Sequence, residues 1–250
     1  MWESIIERAS ELASKFPRPE FQFLARLFEA QQITHERFDE LLAGEKRPLE
    51  SGVLMASIAF VSKTYRELYP IIARAPEPFP GALAQLRKAT PDDLLELLTV
   101  YFLDDRIPQA ALQHLPDAAQ ARWFARVFLQ PAAPFMLERT LAPDPQPFLC
   151  PRCKHRPQLL SGSKFFCSLC FFEWAAPDRV CPACGKPEWQ SVEIDSVLPL
   201  VEIVVCPDCK VYLKRVEGGV PLVDELFSTD LDDRARLEGW RKLEPNLLLH

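Results

Sequence analysis

Apolar positions in the first forty residues recur at three- and four-residue steps. From Trp2 to Phe16 they are Ile5, Ile6, Ala9, Leu12, Ala13 and Phe16, which share one face of a helix. Pro17 and Pro19 end that segment and allow a new start. Phe21, Leu24, Leu27, Phe28 and Ala30 continue the pattern in a second helix. Thr34 is placed to cap a third, through Phe38, Leu41 and Leu42 to a stop at Gly44. Further on, Thr90-Pro91-Asp92-Asp93 combines a capping hydroxyl, a proline suited to the first helical position and two acids that complement the positive end of the helix dipole. The helix it opens carries Leu94, Leu95, Leu97, Leu98, Tyr101 and Phe102, and another begins near Asp117 with Trp123, Phe124, Val127 and Phe128 before Pro131. No useful period-two alternation occurs here, so residues 1–142 read as an all-helical domain.

The pattern changes after prolines 143, 145 and 147, whose alternation predicts an extended linker over 143–149. Short apolar runs at 157–160, 164–167, 192–194 and 200–205 then predict strands separated by turns. The segment 217–250 is acidic and predicts one helix, at about 230–239. The fold class is α+β: a helical domain, two tandem rubredoxin-like or zinc-ribbon units over 150–178 and 179–216, and a short C-terminal helix.

Composition narrows the function classes. With 48% apolar and 26% charged side chains in 250 residues, the chain builds a core and is not compositionally disordered. The longest apolar stretch, 53–61, contains Ser57 and is about half of the roughly 20 residues a membrane-spanning helix needs, so no membrane insertion is expected. Glu3 and Glu7 stand where a secretory signal has basic residues, which points to the cytoplasm. The net charge is −6, and no segment has the basic excess that binding nucleic acid requires, so DNA and RNA are disfavoured as partners.

All eight cysteines fall in four C-x-x-C pairs: Cys150/Cys153, Cys167/Cys170, Cys181/Cys184 and Cys206/Cys209. A disulfide framework demands no such uniform spacing, whereas a tight turn with two residues between cysteines aims both sulfurs at one ion. The order C-x2-C-x13-C-x2-C followed by C-x2-C-x21-C-x2-C makes two four-sulfur sites if consecutive pairs join; crossed pairing would require the segment between Cys170 and Cys181 to weave. A tetrahedral sulfur cage accepts zinc or iron alike. Because a closed cage leaves no position for substrate, a structural staple is favoured over iron electron transfer or a labile redox switch.

Around the second pair lie Phe165, Phe166, Phe171, Phe172 and Trp174, readable as a small core or as a partner-binding surface. Phe171, Phe172, Trp174 and Tyr212 are the candidate partner-binding residues. His155 lies two residues from a ligand cysteine, where it either tunes that sulfur by a hydrogen bond or, the favoured reading, is a solvated loop residue. The four histidines form no H-E-x-x-H pair, and no nucleophile elbow or glycine-rich phosphate loop occurs, so no catalytic residue is assigned. The acids read as solvated helix faces.

Cys150-Pro151-Arg152-Cys153, Phe166-Cys167-Ser168-Leu169-Cys170 with Glu173-Trp174, Cys181-Pro182-Ala183-Cys184, and Cys206-Pro207-Asp208-Cys209-Lys210-Val211-Tyr212-Leu213-Lys214 resemble the FdhE family of formate dehydrogenase accessory proteins. The stretch 24–31 and the tail with Glu238-Gly239-Trp240 and Pro245-Asn246-Leu247 are similar too. The resemblance implies a cytoplasmic assembly factor, not an enzyme, that contacts the catalytic subunit of formate dehydrogenase and can form a homodimer. It also implies two metal ions, zinc or iron, each held by four of the eight cysteines. The chain departs from the family pattern in its short first half and in Lys154 and Lys210, which follow their cysteine pairs where glycine is common. A rubredoxin-like iron electron carrier and a zinc-ribbon nucleic-acid module are the alternatives.

Overall fold

The computed structural model describes residues 1–44, 55–60, 71, 74, 84, 88–104, 106–109, 111–115, 117–137, 146–187, 189–192 and 196–248. Most of the 53–61 stretch is among them; residues 143–145 of the expected linker are not. The chain divides into two units, Met1–Thr140 and Leu141–His250.

In the first unit every described element is a helix, as the periodicity predicts. Helix α1 (Trp2–Lys15) buries Trp2, Ile5, Ala9 and Leu12. Helix α2 (Pro19–Leu41) opens on proline and runs unbroken through Thr34, so the separate third helix does not exist. Thr34 is buried and donates its hydroxyl to the Ala30 carbonyl at 3.1 Å. That bond back into the preceding turn satisfies the side chain without interrupting the backbone ladder. Helix α3 (Pro91–Asp104) begins where expected: the Thr90 hydroxyl accepts the Asp93 N–H at 3.2 Å, and the Asp93 carboxylate accepts the Thr90 N–H at 2.8 Å. Helices α4 (Ala111–His114), α5 (Ala118–Leu129) and α6 (Ala133–Met136) follow. Asp117 caps α5, accepting the Ala119 N–H at 2.8 Å. Helix α2 meets α5 where Phe23 stacks on Trp123 and the buried Gln31 amide donates to the Val127 carbonyl at 2.9 Å.

The second unit is built on one seven-stranded sheet. Its strands are β1 (Pro157–Ser161), β2 (Lys164–Cys167), β3 (Glu173–Ala175), β4 (Gln190–Val192), β5 (Val201–Cys206), β6 (Val211–Val216) and β7 (Arg241–Lys242). The order is β3-β2-β1-β6-β5-β4, with β7 also on β6. Each half supplies an antiparallel triplet whose middle strand ends on a cysteine, Cys167 in β2 and Cys206 in β5. A parallel pairing of β1 with β6 joins the triplets, setting Leu159 opposite Lys214 and Ser161 opposite Val216. The two cysteine segments therefore share one sheet. Strand β4 starts at Gln190, earlier than expected, and residues 193–195 lie outside the described set.

The C-terminal segment holds two helices, α7 (Pro221–Phe227) and α8 (Thr229–Leu237), where one was expected. Pro221 starts α7, and the Asp224 carboxylate accepts the Val220 N–H at 2.7 Å. Side chains alternate along β6. Val211 and Leu213 join Leu160, Phe165, Val204 and Leu243 in an apolar cluster on one face, while Tyr212 and Lys214 reach partners on α7 and α8 on the other.

Candidate metal centre

All four C-x-x-C turns end in the left-handed backbone region, at Lys154 (φ 62°), Phe171 (φ 59°), Gly185 (φ 74°) and Lys210 (φ 56°). The N–H groups of Lys154, Gly185 and Lys210 close back on the carbonyls of Cys150, Cys181 and Cys206 at 2.8, 2.8 and 3.0 Å. Lys154 and Lys210 thus keep the turn geometry that glycine adopts more cheaply. The Cys150 N–H donates to the His155 carbonyl and the Cys181 N–H to the Lys186 carbonyl, each at 2.9 Å, so the leading turns of the two halves close alike. Backbone N–H groups also point at sulfur: Leu169 and Cys170 at Cys167 Sγ (3.3 and 3.5 Å), and Ala183 at Cys181 Sγ (3.4 Å).

These turns bring the sulfurs of Cys150, Cys153, Cys167 and Cys170 within 4.8 Å of one another, and those of Cys181, Cys184, Cys206 and Cys209 likewise. Consecutive pairs join. The Sγ–Sγ separations are 3.6 Å for Cys150–Cys170, 3.3 Å for Cys153–Cys167, and 3.6 Å for both Cys181–Cys209 and Cys184–Cys206. A disulfide would require about 2.05 Å, whereas four sulfurs about 2.3 Å from a tetrahedral ion stand about 3.8 Å apart. The eight thiols are unbridged, and both sets fit one tetrahedral metal ion each. Burial pushes the Cys153, Cys167, Cys181 and Cys209 thiols up. Cys150 is lowered by hydrogen bonds from the three thiols around it. Burial also opposes a charge on Cys206, but the Cys209 backbone N–H and neighbouring thiols outweigh it and lower its value. A central cation would stabilise all four thiolates at once.

The aromatic candidates differ in exposure and in their partners. Phe171 is buried and stacks on Phe166, Phe172 lies half-buried under the Arg152 guanidinium, 4.2 Å from its ring centre, and Trp174 packs on Phe165 with its indole N–H donating to the Pro147 carbonyl at 3.2 Å. Tyr212 is buried, its hydroxyl donating to Asp232 at 2.7 Å, which removes it from any docking surface. His155 is buried too, and not a solvated loop residue: its Nδ1 bonds the Cys153 carbonyl at 2.9 Å and braces that turn.

Sequence reasoning missed a buried ionic network beside these sets. Lys214 Nζ donates to the Glu225 carbonyl (2.7 Å), the Ser228 carbonyl (2.8 Å), the Ser228 hydroxyl (3.2 Å) and Asp232 Oδ2 (2.5 Å). Lys242 Nζ bonds Glu225 Oε1 and Asp232 Oδ1, and Gln158 and Asn246 donate to the Glu225 carboxylate at 2.8 and 3.2 Å. Two ammoniums face two carboxylates, all four side chains are at most 3% exposed, and the set ties β1, β6 and β7 to α7 and α8. Asp232 and Glu225, read as solvated, are therefore core residues. Burial pushes both carboxyls up, but Lys214 and Lys242 outweigh it and hold them below the usual range. Burial pulls Lys214 down, with Asp232 opposing; for Lys242 the two carboxylates outweigh burial and raise it. Burial raises Tyr212, and the Asp232 and Glu225 charges add to the shift. The signal available beforehand was the alternation of Tyr212 and Lys214 in an otherwise apolar run.

No protein-family model matches the chain. Among curated proteins it is 31% identical over 159 residues to an FdhE homologue of Pseudomonas putida, covering 58% of this chain and 50% of that protein. It is 31% identical over 115 residues to one of Aquifex aeolicus, covering 40% and 41%, and 28% identical over 193 residues to one of Pseudomonas aeruginosa, covering 68% and 60%. The matched region thus spans about half the length of these relatives. Among solved structures, the crystal structure of the FdhE protein from Pseudomonas aeruginosa has the same fold, with a TM-score of 0.63 and 24% identity over 99% of this chain and 95% of that one.

Proposed function

Starting from the FdhE family, which these likenesses support, we propose that the chain is an accessory protein in the maturation of a formate dehydrogenase. In this reading it acts in the cytoplasm and binds the immature catalytic subunit of that enzyme. The observation that carries the reading is the breadth of the resemblance: beyond the cysteines it includes Tyr212, Lys214 and Asn246, members of the ionic network that joins the tail to the sheet. No helix among the described residues is long and apolar enough to cross a membrane, which is compatible with a cytoplasmic role.

Cys150, Cys153, Cys167 and Cys170 would hold one ion, and Cys181, Cys184, Cys206 and Cys209 the other. When bound, zinc supplies cross-linking worth on the order of 10 kcal/mol of apparent folding energy, and iron adds a one-electron couple. With every position filled by sulfur, the ion offers no open site to a substrate, which favours assembly over catalysis.

Deleting the gene in its host and assaying formate dehydrogenase is the test. Loss of activity, restored by the wild-type chain, and co-purification of the catalytic subunit are expected; undiminished activity in the deletion strain would end the reading. A colourless, zinc-loaded protein that restores full activity excludes the iron carrier, and sedimentation velocity reads out a homodimer.

A further inference from the structure

The two sulfur sets have the same ligands and similar geometry but different shelter. Cys150, Cys153, Cys167 and Cys170 are each 5% exposed or less, and their chain neighbours pair with one another, Phe166 with Phe171 and Arg152 with Phe172. In the other set Cys181 and Cys206 are buried, Cys209 is half-buried and Cys184 is exposed. A surface ion pair, Lys186 Nζ to Asp208 Oδ1 at 2.9 Å, spans the outer turns, and in it Lys186 is 59% exposed. Gly185, next to Cys184, has open space where a Cβ would point.

We propose that the 181/184/206/209 set is a labile metal site that exchanges its ion through the Cys184 edge, while the 150/153/167/170 set is a permanent staple. This rests on the reading that both sets bind metal. Exchange at a filled tetrahedral ion requires an incoming donor to approach as a sulfur leaves. Where all four sulfurs are buried, that approach waits for local opening of the surrounding structure. Where one sulfur faces solvent, the donor reaches the ion with the fold intact. The shared sheet makes this reversible: with the second ion gone, β6 stays paired to β1, and Lys214 and Lys242 still anchor the helices. The exchange partner is a soft donor, a thiolate or imidazole of a metal-carrying molecule.

The test uses the full chain loaded with zinc, its two ions counted by native mass spectrometry. On challenge with the chromophoric chelator 4-(2-pyridylazo)resorcinol, release is expected in two phases at least about tenfold apart. N-ethylmaleimide under the same conditions is expected to label Cys184 first, and Cys184→Ser to hold one ion with an unchanged far-UV spectrum. Single-phase release, or first labelling among Cys150, Cys153, Cys167 and Cys170, would overturn the inequality even if Cys184→Ser misfolds. Fewer than two ions before the challenge would instead overturn the metal reading on which it rests.

Discussion

Replacing Lys214 by methionine tests whether the buried ionic network, and not the metal sites alone, holds the C-terminal helices on the sheet. Methionine keeps most of the stem volume and removes the charge. The Glu225 and Ser228 carbonyls, at 2.7 and 2.8 Å, each lose one donor but keep the Ser228 hydroxyl and the Leu231 N–H respectively, and the two carboxylates are left with Lys242 as their one facing ammonium. Removing one partner from a buried ion pair costs about 3–5 kcal/mol. Against total domain stabilities of about 5–15 kcal/mol this is a large fraction. With a urea slope of about 2 kcal/mol per molar, a loss of about 4 kcal/mol lowers the midpoint by about 2 M. The assay is equilibrium urea unfolding of the metal-saturated chain at neutral pH, followed by circular dichroism. Adding Asp232→Leu to Lys214→Met makes the site neutral again, and at least half of the loss is expected back. A midpoint shift equivalent to less than about 1 kcal/mol, or a double variant as unstable as the sum of the single ones, would refute mutual dependence of these charges.

Tyr212 and Lys242 are both raised above their ordinary values, so the stability they contribute is complete below about pH 10 and is lost as pH rises through the folded values. Thermal unfolding between about pH 8 and 11 should therefore show a Tm that begins to fall as pH approaches 10, with a slope shallower in Tyr212→Phe, and equal slopes would count against the assignment. Lys154 is exposed and sits at φ 62°, so Lys154→Gly should stabilise the metal-loaded chain by up to about 1 kcal/mol, because relief of left-handed strain outweighs the extra entropy of glycine. A lower Tm than wild type would contradict that. Asp117→Ala removes the cap of α5 and should cost about 1 kcal/mol in urea unfolding, with Asp117→Asn nearly neutral; equal losses for both would show that the cap bond is not the cause.

The elements legible in the sequence are those decided within a few residues. Thr90, Pro91 and Asp93 start α3, and Asp117 starts α5, because a cap bond reaches only two or three positions along the chain. The four cysteine turns are legible for the same reason, as the tight turns that the two-residue spacing implies. Thr34 shows where a local rule misleads: the same hydroxyl that can cap a new helix can bond Ala30 and continue the old one. The short β7 and the ionic network escaped because their partners are remote. Lys214 lies beside Leu159 in the sheet and bonds Asp232 on α8; the alternation of Tyr212 and Lys214 along the strand marks a second face, but nothing near either position in the chain names the partner. The spacing of the cysteines therefore determined which sulfurs could share an ion. Only the tertiary structure decided that Cys150 is buried and Cys184 is open, because exposure depends on what packs over a turn and not on how the turn is made.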